Sequence, residues 1–328
     1  MIYDTELINT GKNSQYWLIY QNIEPGQSVL DVGCATGYLG EYLKNNLNVN
    51  IVGLDYQDYH LKKAKERNVY SNLIKIDLNT FKNELNEYIN HFDRIVLCDI
   101  LEHLYDPVNV LKKLSKLLKS DGEFLIDIPN ISHGSIKYNL LLNKFTYTSV
   151  GLLDNTHIRF YTPKSIIDTL SKNNFYIKEM NYIYKSPSES YGQKLNYEEY
   201  PQEIIDYIEN DPVSHVFQIF LTVKKSNLTK DNLITHNNKF KKIKQQNIQN
   251  KELYVSSSNQ LISLKGIIEN KNKNIKEQKK IVEKQKQTIH TQKQTIKNKN
   301  NAIRKIKNSN SWKIMSPFRK IGRYLKKI

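Results

Sequence analysis

Two carboxylates and an imidazole stand together in Asp99-Ile100-Leu101-Glu102-His103, and a second imidazole, His157, lies well downstream. Carboxylates and histidines that converge on one point can take a proton from a hydroxyl, or hold a divalent ion such as Mg or Mn. Histidine suits the first role because its ordinary pKa lies close to neutral pH. The same residues can also stand beside a site as helix-start residues, and the five residues alone leave that reading open. A second stretch with chemical content is Val29-Leu30-Asp31-Val32-Gly33-Cys34-Ala35-Thr36-Gly37. It is an apolar run that ends in an acid and a Gly-rich turn. Gly33 lets a polar ligand approach bare backbone, Ala35 is the next smallest choice, and Gly37 lets a following helix pack closely on the strand. A plain tight turn would use the same glycines, so these nine residues do not name a ligand.

The elements that must position these groups follow from the apolar pattern. Tyr38, Leu39, Tyr42 and Leu43 recur at helical spacing after the glycines, which predicts a helix over 37–47. Further strands are predicted over 50–55, ending in Asp55, over 72–77, ending in Asp77, and over 92–98, running into Asp99. Helices over 58–67 and 80–89 separate them. Strands that alternate with helices argue for an α/β protein with a parallel sheet and helices on both faces. Asp106-Pro107 starts another helix, with Val108, Leu111, Leu114 and Leu118 as its apolar face, and a fifth strand runs from Glu123 to Ile128. Residues 131–162 exceed what such a fold needs. They carry His133, Gly134, a Leu140-Leu141-Leu142 cluster and the run Thr156 to Thr162, and are read as a lid over the ligand edge that binds the acceptor. A helix from Pro163, strands over 175–184 and 215–223, and an acidic helix over 196–210 complete this part. A short helix within residues 1–24 covers the sheet edge.

Four strands that each end in Asp at one edge of a sheet resemble the class I S-adenosylmethionine-dependent methyltransferases, over roughly residues 15–225. The turn Gly33-Cys34-Ala35-Thr36-Gly37 does not supply the G-x-G-x-x-G of a dehydrogenase. The resemblance implies a Rossmann-like seven-stranded, mostly parallel sheet whose last two strands are antiparallel. It also implies S-adenosylmethionine as cofactor, with Asp31 supporting the methionine end, Asp55 the ribose and Asp77 the adenine amine. Gly33, Ala35, Gly37 and Asp99 join this cofactor set. Asp99, Glu102, His103 and His157 further resemble the metal site of small-RNA 2′-O-methyltransferases and some ubiquinone-pathway O-methyltransferases, where two carboxylates and two histidines grip a divalent ion. Here Asp99 stands as the shorter of the two acids. His103, Glu102 and His157 are accordingly the expected catalytic residues, with or without a metal.

Charge divides the chain. Residues 226–328 hold 26 Lys and Arg against 5 Asp and Glu, leaving 23 against 28 in residues 1–225, so the net charge of +16 belongs to the tail. The first part has no basic excess for nucleic acid, which is not an expected partner. Cys34 and Cys98 fall at strand ends predicted to be buried, which predicts reduced thiols and a cytoplasmic protein. No signal-like leader and no run of 18 apolar residues is present. The expected organisation is a methyltransferase domain over 1–225, a linker over 226–252, a coiled coil over 253–310 and a basic tail over 311–328. The coiled coil rests on Leu261, Ile268, Ile275, Val282, Ile289, Ile296 and Ile303, each seven apart, and predicts an oligomer and a helix of roughly 70 Å. The tail places Trp312, Met315, Phe318, Ile321, Leu325 and Ile328 among Lys and Arg with no acid, as in a helix lying peripherally on an anionic inner-membrane face. Its Ser311–Arg319 run resembles tails of bacterial cell-surface glycan glycosyltransferases and their associated methyltransferases. Together these features predict an O-methyltransferase for a sugar hydroxyl of a surface glycan or its lipid-linked precursor. The alternatives are a methyltransferase for a small phenolic or quinone precursor, and an inactive scaffold that acts through its coiled coil.

Overall fold

The structure is a computed structural model that describes residues 13–189, 195–226, 228, 232–233, 235–236, 244–310 and 314–315. Strand β1 (Ser28–Val32) lies at the centre of a sheet with β2 (Asn50–Asp55), β3 (Asn72–Lys75), β4 (Phe92–Cys98), β5 (Leu118–Pro129), β6 (Phe175–Tyr184) and β7 (Val216–Lys225). The order is β3-β2-β1-β4-β5-β7-β6. The first five strands run parallel, and β7 is antiparallel to both β5 and β6. This is the expected seven-stranded, mostly parallel sheet. Its central strands are apolar runs because both faces are buried. Leu30, Ile95, Leu97, Phe124 and Ile126 build the core on one face, and Val29, Val96, Leu125 and Phe220 join Ile19, Leu39 and Leu43 in the core on the other.

The helices α1 (Gln15–Gln21), α2 (Tyr38–Leu47), α3 (Asp58–Glu66), α4 (Pro107–Leu114), α6 (Pro163–Lys172) and α7 (Gln202–Asn210) fall close to the predicted positions, and an unpredicted helix, α5 (Gly134–Leu141), forms inside the segment read as a lid. Their starts are written in the sequence. Asp106 accepts from the Asn109 amide ahead of Pro107, and Thr162 and Ser165 cap one another's backbone ahead of α6. The helix predicted over 80–89 is absent; only a 3₁₀ turn at Asn86–Tyr88 forms. The Asp77 carboxylate takes the Asn79 amide and the Glu84 carboxylate takes the Lys82 amide, so side chains occupy donors that a helix would use. Helix α4 also stops short of Leu118, because Leu118 pairs with Phe92 and opens β5.

The chain divides into two compact units, Met1–Ser256 and Ser257–Ile328. Helix α8 (Lys244–Asn308) begins nine residues before the predicted start at 253, so 244–252 is helical rather than linker. No helix among the described residues is long and apolar enough to cross a membrane. The basic tail expected over 311–328 lies outside the described residues, except for the exposed Ile314 and Met315.

Candidate active site at the carboxyl edge of the sheet

Strand β1 delivers Asp31 into the sheet, where it is 3% exposed. Burial pushes its carboxyl up to about 6, while the Tyr70 hydroxyl, which donates to Asp31 Oδ2 at 2.8 Å, works against that rise. Tyr70 was not singled out from the sequence. It fills a slot left by three glycines: a Cβ on Gly40 would lie 2.2 Å from the Tyr70 hydroxyl, and Cβ atoms on Gly37 and Gly53 would meet its ring. The turn after β1 is left-handed at Gly33 (φ +75°), Ala35 (φ +45°) and Gly37 (φ +84°). A Cβ on Gly37 would also stand 3.0 Å from the backbone Cα of Ala64 in α3. Gly37 thus has two independent reasons to be glycine, its conformation and its close packing.

Asp55 ends β2 directly opposite this turn. One carboxylate oxygen accepts the Ala35 amide at 3.0 Å, the other accepts the Gln57 amide at 2.8 Å, and His60 Nδ1 stands 3.3 Å away. A carboxylate has about four lone-pair sites, so Asp55 keeps acceptor capacity for a vicinal diol such as a ribose. Asp77 lies past the end of β3, exposed, with its side chain on the Asn79 amide. Ile100 connects this edge to the next one: its Cδ1 lies 2.2 Å from where a Gly33 Cβ would be, so the loop after β4 leans on the glycine turn. A left-handed turn without side chains, followed by a buried acid with spare acceptors, fits the ribose and methionine halves of S-adenosylmethionine.

The loop after β4 carries the expected proton-handling residues. Glu102 is fully buried, and neither carboxylate oxygen has a hydrogen-bond partner. Its backbone oxygen accepts the amides of Ile158 at 2.9 Å and Arg159 at 3.0 Å, which fastens the 131–162 segment over the end of β4. That fastening brings His157 to Glu102, with Nε2 3.9 Å from Oε1, and sets its ring 4.9 Å from the His103 ring. The structure thus joins residues far apart in sequence, and the expected lid does reach the candidate site. His103 Nδ1 lies 3.2 Å from the Thr156 oxygen, and His157 Nδ1 lies 3.2 Å from the Leu152 oxygen. A carbonyl only accepts, so Nδ1 of each ring is the donor, and in the neutral form of each ring Nε2 bears the lone pair. Burial lowers the His157 pKa, with the His103 imidazole adding to the effect. Burial raises Glu102 well above the usual carboxylate range, with Asp99 adding to it.

Glu102, His103 and His157 offer ligand atoms that all lie within 4.8 Å of one another. An unpartnered buried carboxylate and two imidazoles with free Nε2 atoms, each oriented by a backbone carbonyl, are a donor set that fits a divalent ion. Asp99, expected as a fourth ligand, does not join this trio. Its φ of +53° and its amide bond to the Asp127 oxygen turn it elsewhere; Gln218 donates to its Oδ1 at 2.9 Å, and it groups instead with Cys98 and Asp127. Cys34 and Cys98 are free thiols. Asp127 is a further residue the sequence reading passed over. It is fully buried on β5 with both oxygens unpartnered, and burial together with Asp99 and Glu102 pushes its carboxyl up. The signal was an acid inside the apolar run Phe124 to Ile128.

Aromatic side chains flank the trio. Phe160 lies 6.5 Å from His157 and 6.2 Å from Phe145, which in turn meets Tyr147 at 5.5 Å, and all three are partly exposed. The site therefore sets a carboxylate and two imidazoles beside a row of partly exposed rings.

Comparison with known proteins bears on this geometry. The family model described as "Methyltransferase domain" matches residues 14–179. A ubiquinone biosynthesis O-methyltransferase of Pelagibacter ubique is 28% identical over 153 residues, covering 47% of this chain and 63% of that protein. The mitochondrial ubiquinone biosynthesis O-methyltransferase of Bos taurus is 24% identical over 181 residues, covering 52% of this chain and 49% of that protein. The chain thus spans less than two thirds of the length of these relatives. Among solved structures, a SAM-dependent methyltransferase from Archaeoglobus fulgidus is 16% identical with a TM-score of 0.43, covering 64% of this chain and 94% of that one. With the family model matched across half its length, over the strands that carry Asp31, Asp55, Asp77 and Asp99, the chain belongs to the S-adenosylmethionine-dependent methyltransferases.

Proposed function

We propose that this protein transfers the methyl group of S-adenosylmethionine to a hydroxyl oxygen of a small phenolic acceptor of the quinone-precursor type. The observation that carries the reading is the Glu102, His103 and His157 cluster beside the cofactor edge, walled by Phe160, Phe145 and Tyr147. The relatives named above act, by their names, in ubiquinone biosynthesis. They favour the phenolic alternative over the sugar hydroxyl expected from the tail, and lend no support to glycan synthesis or membrane attachment.

The cofactor supplies an activated sulfonium methyl, so the protein's work is to orient the acceptor oxygen and remove its proton. Asp55 holds the ribose, and the glycine turn lies against the methionine half. His103 and His157 present basic Nε2 atoms, and either can receive the acceptor proton. Both are held in one tautomer by the carbonyls of Thr156 and Leu152. Glu102, His103 and His157 would hold a divalent ion, which would lower the pKa of a bound hydroxyl. The rings of Phe160, Phe145 and Tyr147 offer exposed apolar faces that suit the flat face of an aromatic acceptor.

The test is a screen with methyl-labelled S-adenosylmethionine against soluble catechols, polyprenylated dihydroxybenzoates, nucleotide sugars and lipid-linked sugars. A labelled methyl ether on a catechol oxygen is the expected product. Transfer confined to the sugars, or to nitrogen, would overturn the acceptor assignment.

A further inference from the structure

We propose that the stretch of α8 from Lys271 to Asn308 pairs in parallel with the same stretch of further copies of this chain. The helix carries one apolar stripe: Ile275, Val282, Ile289, Ile296 and Ile303, each 46% to 58% exposed on the single chain. A strict seven-residue period keeps such a stripe on one seam only if helices wind round each other with a left-handed twist. Apart from Ile281 and Ile306, the stripe is one side chain wide, narrower than the face a helix needs to lie in a membrane surface or on a globular core. A second helix with the same narrow stripe is the complementary partner.

The neighbouring positions set the direction. The residues four after each stripe position include Lys279, Lys286, Lys293 and Lys307, while those one before are Asn274, Ile281, Thr288, Thr295 and Ala302. In a parallel pair these two columns face each other across the seam, and lysine meets an uncharged residue. In an antiparallel pair each column faces its own kind, and the lysines oppose one another along the whole length. The other half of the seam gives the same answer. It carries Lys271, Gln278, Gln285, Gln292, Lys299 and Ile306, so parallel pairing also sets two lysines against their own copies, a repulsion that salt screens. Parallel pairing sets glutamine against glutamine, where each amide both donates and accepts, and isoleucine against isoleucine. Antiparallel pairing sets glutamine against isoleucine and leaves the amides unpaired.

Charge also predicts the salt response. Residues 271–308 hold 13 Lys and Arg against 2 Glu. Copies repel one another at low ionic strength, and salt screens that repulsion while leaving the apolar seam intact. Self-pairing therefore tightens with added salt, whereas docking of an acidic partner or polyanion loosens.

Light scattering and spin-label distances on the full chain test this. The mass should rise from the single-chain 38.6 kDa to at least twice that as salt is added. Labels on Lys273→Cys should report a short distance between copies, and so should labels on Asn301→Cys. A mixture of the two should report about 42 Å, the span of the intervening residues at 1.5 Å each; the unsubstituted chain gives the background from Cys34 and Cys98. Ile289→Asp with Ile296→Asp should return the mass to 38.6 kDa while leaving S-adenosylmethionine affinity within twofold, which shows that the chain is folded. A single-chain mass at every salt concentration overturns the proposal. So does a mixed-label distance shorter than the like-label ones, or an assembly that salt dissolves.

Discussion

Asp55 shows how far a single residue could be read from sequence. An acid at the end of a second strand, about 20 residues past a glycine turn, is the expected ribose ligand, and the structure sets it within 3.0 Å of the Ala35 amide in that turn. Replacing it by alanine removes charge-assisted bonds worth roughly 1.5–3 kcal/mol each. Asp55→Ala should therefore weaken S-adenosylmethionine binding by about tenfold or more in calorimetry, and Asp77→Ala, at an exposed position, should weaken it less. Equal affinities would remove the ribose assignment. The histidines were legible as chemistry but not as a pair, because His157 reaches His103 only through the bonds from Ile158 and Arg159 to the Glu102 oxygen. With either imidazole able to receive the proton, the double variant His103→Ala/His157→Ala is expected to lower the methyl-transfer rate about 10²-fold or more, the range for a lost proton acceptor, with cofactor affinity retained, and each single variant less. Full turnover in the double variant would dismiss the site, and full turnover in chelator would dismiss the ion while leaving the histidines. Tyr70 was not legible, since what matters about it is its bond to Asp31 on another strand, and Asp127 was legible only as an acid inside an apolar run, not as a carboxylate packed beside Asp99 and Glu102.

At the scale of elements, pattern and chemistry agreed wherever a strand was apolar throughout or a helix began with a cap. The antiparallel pairing of the last two strands followed from family resemblance rather than from any local signal, and the strand order emerged only in the structure. The missing helix over 80–89 marks the limit: Phe81 and Leu85 have helical spacing and are buried, yet Asp77 and Glu84 satisfy backbone amides locally and the segment folds as turns. The join between β1 and α2 is the element most sensitive to change. Gly37→Ala puts a side chain into a left-handed conformation and against the Ala64 backbone. The conformation alone costs about 1–2 kcal/mol, and urea unfolding should show at least that loss. A variant as stable as the parent would mean that α3 can move away from the turn. Tyr70→Phe tests the same layer from the other side. It leaves the buried Asp31 carboxylate without its side-chain donor, which should cost roughly 1–3 kcal/mol at neutral pH and less once Asp31 is protonated.

Taken as a whole, the methyltransferase domain concentrates buried acids at one edge of its sheet, and that sets how its stability responds to pH. Asp31 is raised from 3.8 to about 6, chiefly by burial. Its folded form therefore holds a proton more tightly than its unfolded form, and unfolding releases that proton between those two values. Wherever the folded state binds more protons, stability falls as pH rises. Asp31 thus contributes a decline from about pH 4 to pH 6, complete above that, of order 3 kcal/mol from the size of the rise. Glu102 and Asp127 are raised in the same direction, also chiefly by burial, so they extend the decline to higher pH rather than opposing it. Asp31→Asn retains an oxygen to accept from Tyr70 but no longer titrates. Urea unfolding of parent and variant across pH 4 to 7 should show the variant losing less stability as pH rises, by a difference that grows up to about pH 6 and then levels off. Parallel curves through that window would mean that Asp31 is charged at little cost in the folded protein, and that Tyr70 together with the surrounding backbone outweighs its burial.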